Sequence, residues 1–282
     1  MYEVTDLPPA PWAKKPKPAK AEAKPALTRQ AIVDSALRII DTEGLDAVSM
    51  RRIAQDLGTG AASLYAHVAD KEELLDLVVD QIMGETVAAV VAAEQPPGSA
   101  PLEGAQVSAA LAGIAAAADP AQWQENLREM ARVTLRVLTA HGDVARAFVG
   151  RIPFGPNGLV AVEAQLAVLR SAGLPDHMAA FAGDLLGQFV TGYAVDEVGW
   201  RGRFPNAGQA EMIEHLSRLR GYLEALPTER FPNLVAMAGS LLAGEDDGFS
   251  RFELGLEVLI RGLASFMPPP AAPPATPPAS AA

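Results

Sequence analysis

Between residues 27 and 267, apolar side chains recur three and four positions apart in alanine- and leucine-rich stretches punctuated by Gly and Pro. No stretch alternates apolar and polar residues as a half-buried strand would. This period restricts the chain to helices, and the expected fold is all-α. With 282 residues there is enough chain for a small helical unit and a larger helical domain. The absence of cysteine excludes a disulfide scaffold, a thiolate zinc site, an iron–sulfur centre and a cysteine nucleophile.

Charge divides the chain more sharply than its net value of −11 suggests. Residues 1–71 carry ten Lys+Arg and nine Asp+Glu, whereas residues 72–282 carry 13 and 25. All six lysines lie in the first part: Lys14, Lys15, Lys17, Lys20 and Lys24 in a Pro/Ala leader, then Lys71. An acidic body repels a phosphate backbone, so any nucleic-acid contact is expected from the front. Residues 1–26 lack the periodic apolar residues needed to offset ordering entropy and read as a disordered basic arm, and 268–282 read as a disordered Pro/Ala tail. The expected units between them are 27–73 and 74–267. No secretory signal and no strongly apolar run of membrane-spanning length is present, so a cytoplasmic protein is expected.

Four helices are announced at the front. Thr28 caps the first, which carries Ile32, Val33, Ala36, Leu37 and Ile40 on one stripe and stops at Gly44. Ser49 caps the second, running to Leu57 with Ile53, Ala54 and Leu57 inward. Residues 61–67 form a third, too short to stand alone, so Leu64 and Val68 must dock on the first two. Asp70 and Glu73 form a capping box for the fourth, expected to reach Ala93. A tight glycine-containing turn joins the second and third helices, which makes a helix-turn-helix whose width suits a B-DNA major groove. The outward groups are Ser49, Arg51 and Arg52, then Thr59, Gly60, Ala61, Ser63, Tyr65 and His67, then Lys71. Hydroxyls and guanidinium groups of this kind anchor phosphates. Further helices are expected near 105–118, 120–140, 143–150, 157–172, 175–199, 208–225 and 250–266, with long connections at 200–207 and 226–249.

The run SMRRIAQDLG, a short turn, SLYAHV and DKEELL, within the sixty residues from Leu27, resembles the DNA-binding domain of the TetR family of bacterial transcriptional repressors. FGPNGLVAVEAQLAVLRSAGL, TGYAVDE, ERFPNL and FELGLEVLIRGL are similar to the larger ligand-binding domain of its tetracycline-repressor subgroup. The resemblance implies a homodimer that sets each third helix in the major groove of a palindromic operator and is released by a small molecule. It places Ser49 on phosphate, Arg51 on phosphate or a base edge, and Thr59, Gly60, Ala61 and Ser63 at the bases. Tyr65, His67 and Lys71 grip the backbone, while Leu64 is core. Ala61, Ala62 and Ala66 leave few groups for bidentate base readout, and Lys14, Lys15, Lys17 and Lys20 are expected to supply affinity from the arm, unless the arm is only a solubilising leader.

Residues of the right type for a drug-sized pocket are Met83, Trp123, Leu127, His141, Phe148, Phe154, Gln165, Leu169, Gln188, Phe189 and Tyr193, each of which could equally be core. The helices near 175–199 and 250–266 are apolar on more than one face, with Gly183, Gly187, Gly192, Gly255 and Gly262 permitting close approach, and a four-helix dimer interface is expected there. No G-x-S-x-G, GxxxxGK[ST] or HExxH occurs, and the scattered histidines lack metal-ligand spacing. An enzyme is therefore not expected, and neither is a metal or cofactor beyond a small-molecule inducer. Two other readings stay open: a helical sensor or carrier without specific DNA recognition, and an activator on the same scaffold.

Overall fold

The computed structural model describes residues 27–96, 98–203, 209–242 and 251–267. Among the described residues the regular structure is helical throughout, without strands, as the apolar period requires. Helices α1 (Arg29–Glu43), α2 (Met50–Asp56) and α3 (Ala61–Leu64) form a head on the first turns of α4 (Lys71–Ala93). The expected caps are in place. Thr28 Oγ1 accepts from the Ala31 amide at 3.1 Å, Ser49 Oγ from Arg52 at 3.2 Å and Asp70 Oδ1 from Glu73 at 2.9 Å. The capping box departs in one detail: the Glu73 carboxylate reaches the amide of Ala69, at 2.5 Å, rather than that of Asp70. Helix α3 is shorter than its apolar pattern suggests, because the chain turns at Tyr65 and the amides of His67 and Val68 both donate to the Leu64 carbonyl.

The body comprises α5 (Ala105–Ala117), α6 (Trp123–Ala140), α7 (Ala145–Phe148), α8 (Pro156–Ser171), α9 (Asp176–Arg203), α10 (Gln209–Glu224), α11 (Pro232–Leu241) and α12 (Arg251–Ala264). One buried cluster runs from Ile32, Ile40 and Ile53 in the head through Leu74, Val78 and Ile82 of α4 to Leu127, Leu138, Leu186 and Ile260 of the body. Helix α4 is the shared spine. Its first half completes the head core, and Val87 and Val91 in its second half pack on Val107 and Leu111 of α5. A boundary drawn at residue 73 therefore falls inside a continuous helix.

Two expected connections are corrected. Helix α9 runs on through Arg203, and the stretch read as a long connection at 226–249 contains α11. Its signals are Pro232 in the first turn and apolar Leu234, Val235, Ala238 and Leu241 at helical spacing. The arm with Lys14, Lys15, Lys17, Lys20 and Lys24, the GEDDG segment and the Pro/Ala tail lie outside the described residues.

Helices α9 and α12 pack closely. The Phe189 ring stacks on Phe252 at 5.4 Å between centroids, and Tyr193 meets Phe252 edge-on at 5.2 Å. A Cβ on Gly255 would lie 2.6 Å from the Phe189 ring, so this crossing needs glycine.

Candidate nucleic-acid interface

The head turns its polar groups outward because its apolar ones are fully used within. Ile32, Ala36, Ile53 and Leu64 are completely buried, with Val68 beside them, which fixes α3 against α1 and α2. The turn from Leu57 to Gly60 runs through Gly58 at φ +60°, a left-handed conformation that suits glycine, and the Thr59 amide closes it onto the Ala54 carbonyl at 2.9 Å. On the face this leaves, Ser49, Arg51, Gly60, Ser63 and Tyr65 are exposed, while Thr59, Ala61, His67 and Lys71 are half-buried around them.

Arg52 differs from Arg51 in already having a partner at the surface. Its Nε and Nη2 donate to Glu43 at 3.1 and 2.5 Å, tying the end of α1 to α2. That bond holds the Glu43 carboxyl below the usual range and raises the Arg52 guanidinium. Arg52 is therefore already engaged, whereas among the described residues Arg51 and Lys71 have no ion-pair partner. Arg29 donates from Nε to the His67 carbonyl at 3.1 Å and pairs with Glu73 at 3.5 Å. The start of α1 is thereby fixed beside the end of the recognition segment.

Of the residues expected to line a pocket, Trp123, Leu127 and Leu169 belong to the main buried cluster, and Phe148, Phe189 and Tyr193 pack against it. Leu127 and Leu169 are completely buried core residues, and Trp123 is buried beside them. Phe154 is 67% exposed ahead of α8, and Gln188 is exposed and donates to Asp184 at 2.9 Å. Phe189 and Tyr193 belong to the aromatic cluster on Phe252. Met83, Phe148 and Gln165 remain half-buried on α4, α7 and α8. Among the described residues, no group of His, Asp and Glu could hold a metal ion.

His141 lies at the junction of head and body. Its Nε2 is 2.7 Å from Glu85 Oε2 on α4 and its Nδ1 is 3.4 Å from Asp41 Oδ2 near the end of α1. Gly142, at φ +46°, approaches α1 so closely that a Cβ would meet the Asp41 Cα and the Ile40 carbonyl oxygen at 3.2 Å. Asp143 accepts from the Leu45 amide at 3.3 Å and from Arg146 at 2.7 Å, and Arg146 also grips Asp46 in the head. Sequence reasoning missed Asp41, Asp46, Asp143 and Arg146. Their partners stand about a hundred positions away, and no local spacing signals such a contact.

Comparison with known proteins supplies the context for this head. Residues 32–78 match the family described as bacterial regulatory proteins, tetR family, and residues 116–267 match the tetracyclin repressor-like C-terminal domain. Apo ActR from Streptomyces coelicolor is 42% identical with a TM-score of 0.64, covering 85% of this chain and 97% of its own. ActR in complex with actinorhodin is 41% identical with a TM-score of 0.66, covering 86% and 97%. The tetracycline repressor protein class D of Escherichia coli is 28% identical over 236 residues, 84% of this chain and 88% of that protein. Among the described residues, no helix is long and apolar enough to cross a membrane.

Proposed function

Because the chain belongs to the TetR family of ligand-responsive, DNA-binding transcriptional repressors, we propose that it acts as a homodimer whose two heads occupy successive major grooves of one operator. The observation that carries this reading is the head surface itself: Arg51, Ser63 and Tyr65 are exposed while Leu64 between them is sealed in the core. Arg51 and Lys71 supply free positive charge. Ser49 accepts from the Arg52 amide, which leaves its hydroxyl proton to donate to a phosphate oxygen. Ser63, Thr59, Gly60 and Ala61 face the base edges, and Tyr65 and His67 flank them.

The outer faces of α9 and α12 are the dimer surface in this reading. Phe181, Leu185, Leu254 and Val258 there, with Phe266 just past α12, are 44–63% exposed, an apolar patch that a second copy would cover. The small residues divide accordingly. Gly183 and Gly255 pack within the chain against Gln165 and Phe189, whereas Gly187, Gly192 and Gly262 have open space above them, where a partner helix could approach.

Ligand release is a population shift. The compound must bind better to the arrangement whose head spacing misfits the operator, since equal affinity for both arrangements changes nothing. Met83, Phe148 and Gln165, on three body helices, are the residues proposed to meet it, and the contacts of His141, Asp143 and Arg146 carry the change to the head. Actinorhodin and tetracycline are the first compounds to try, since structural and curated relatives bear those names. Footprinting on DNA fragments bound by the purified protein, repeated with each compound, is the test. A protected site that disappears with a compound supports the reading, and weak binding without a protected site contradicts it.

A further inference from the structure

Polar bonds fasten several of the body's helices to their neighbours. Asp80 ties α4 to the start of α8, Arg128 and Arg132 tie α6 to α12, and Arg146 ties α7 to the head. Helix α5 has no such fastening. Among the described residues, no side-chain hydrogen bond or ion pair joins residues 98–118 to α4 or α8, and residues 104–118 carry no charge. Only Val107, Leu111 and Ala115 of its 13 residues are buried. Val107 and Leu111 join Val87 and Val91 of α4 in a small apolar cluster separate from the main core, and Val160, Ala161 and Ala164 of α8 pack against it.

The approach to α5 is equally unconstrained. Gly104 stands at its N-cap with φ +51° and no side chain to accept from the first turn, and Gly98 precedes it at φ +87°. A Cβ on either glycine would meet nothing within 4 Å, so both are places where the chain can change direction. A helix of this length is marginal in water by itself even when rich in alanine, so α5 keeps its shape only while its buried side chains are seated. Elements held by so few buried contacts open far below the cost of global unfolding.

The position of the seat gives that opening a use. Met83 is one turn before Val87 on α4, and Gln165 is one turn after Ala161 on α8, so each shares a helix face with a residue of the seat. Both are residues proposed above to meet the releasing compound, and α5 lies across the two helices that carry them.

We propose that α5 is a gate over the ligand site. It leaves the α4–α8 surface as a unit, ahead of any opening of the main core, and the compound enters and leaves beneath it. The surfaces it uncovers, Val87, Val91, Val160, Ala161 and Ala164, are apolar, which favours a largely apolar compound. The inference rests on the reading that a compound meets Met83 and Gln165, and adds its route.

The experiment uses the full-length chain in three forms: the parent, a loosened Val107→Ala, Leu111→Ala variant, and an Ala110→Cys, Ala164→Cys variant whose two thiols are joined by a short bis-maleimide. The chain has no cysteine of its own, so the cross-link is unambiguous, and the unlinked double variant is its control. Hydrogen exchange read by mass spectrometry follows the opening. Stopped-flow fluorescence of Nile red, a neutral apolar dye, follows passage. In the parent, exchange over 107–117 should be at least about 100-fold faster than over 74–82 of α4. Loosening should speed dye uptake and release alike, each at least about fivefold with affinity kept within about threefold, and the cross-link should slow both at least about tenfold. A helix with a merely structural role would lose affinity on loosening without faster uptake. That result overturns the proposal, as does exchange over 107–117 as slow as over 74–82, or dye uptake indifferent to the cross-link; the ligand reading survives each of these. Failure of the parent to bind the dye saturably overturns that reading and the gate with it.

Discussion

Arg146 of the body donates to both carboxylate oxygens of Asp46 in the head, at 3.1 and 3.0 Å, across a hundred positions of sequence. The two form a planar, two-point contact, with Asp143 taking a further bond from Arg146 at 2.7 Å. An exposed pair of this kind contributes little to stability, but it fixes the angle between two units. Changing Arg146→Ala should therefore leave operator affinity within a few-fold of the parent and cut the release caused by an effective compound at least tenfold. Exchanging the charges, Asp46→Arg with Arg146→Glu, should restore part of the response. Operator titrations with and without compound measure both. The bond from Arg146 holds the Asp46 carboxyl below its ordinary value. The contact is therefore complete above the ordinary carboxylate range and is lost only as pH falls through that lowered value, so this pair should add no pH dependence of its own between pH 6 and 8.

Adjacent arginines should behave differently. Arg51 is exposed and without an ion-pair partner among the described residues, and Arg52 is bound to Glu43. Arg51→Ala should weaken duplex binding about tenfold and lower the salt slope by about 1 per head. Arg52→Ala should leave the slope unchanged and lower the thermal midpoint instead. Binding isotherms at three salt concentrations and a melting curve separate the two.

The body has an acid-sensitive seam between α6 and α12. Arg132 holds both oxygens of Glu253 at 2.9 Å, and Arg128 reaches Glu257 at 2.8 Å. Hydrogen bonds from these arginines hold both carboxyls below the usual range. Groups depressed in the folded state stabilise it above their unfolded values and lose that contribution as pH falls through the folded ones. The parent protein should therefore lose more thermal stability between pH 5 and 3 than a Glu253→Gln, Glu257→Gln double variant. At pH 7 the parent should be the more stable of the two. Melting curves across that range provide the check.

Asp80 holds the start of α8. Its Oδ1 accepts from the amides of Asn157 and Gly158 at 2.9 and 3.0 Å, while the Asn157 side chain donates back to the Asp80 carbonyl at 3.1 Å. Asp80→Ala leaves those amides without their acceptor in a partly buried place, at a cost of about 1–3 kcal/mol. Urea unfolding should show a lower midpoint with an unchanged slope.

The helices, their caps and the division of the head into inner and outer residues were legible in the sequence. Apolar spacing and capping chemistry are local, and Thr28, Ser49 and Asp70 each act within three residues of themselves. The Arg52 bond was not legible, because an arginine on a helix face looks the same whether it is free or bound to a glutamate nine positions earlier. Helix α11 was passed over because Gly, Pro and acidic residues around it suggested a loop. The junction of Asp41, Asp46, Glu85, His141 and Arg146 was not legible at all, because it exists only once α1, α4 and the α6–α7 turn have come together. The residues named for the pocket were chosen by type, and residue type alone does not tell the buried Leu127 and Leu169 from the half-buried Gln165.

The claim that two heads grip one duplex is tested most directly by selecting binding sites from a randomised duplex pool with the full-length chain and weighing the resulting complex. An inverted repeat with half-sites one helical turn apart, about 34–36 Å centre to centre, and two chains per duplex is the predicted result. Recovery of sequences without symmetry, or of a single chain on each duplex, would contradict it.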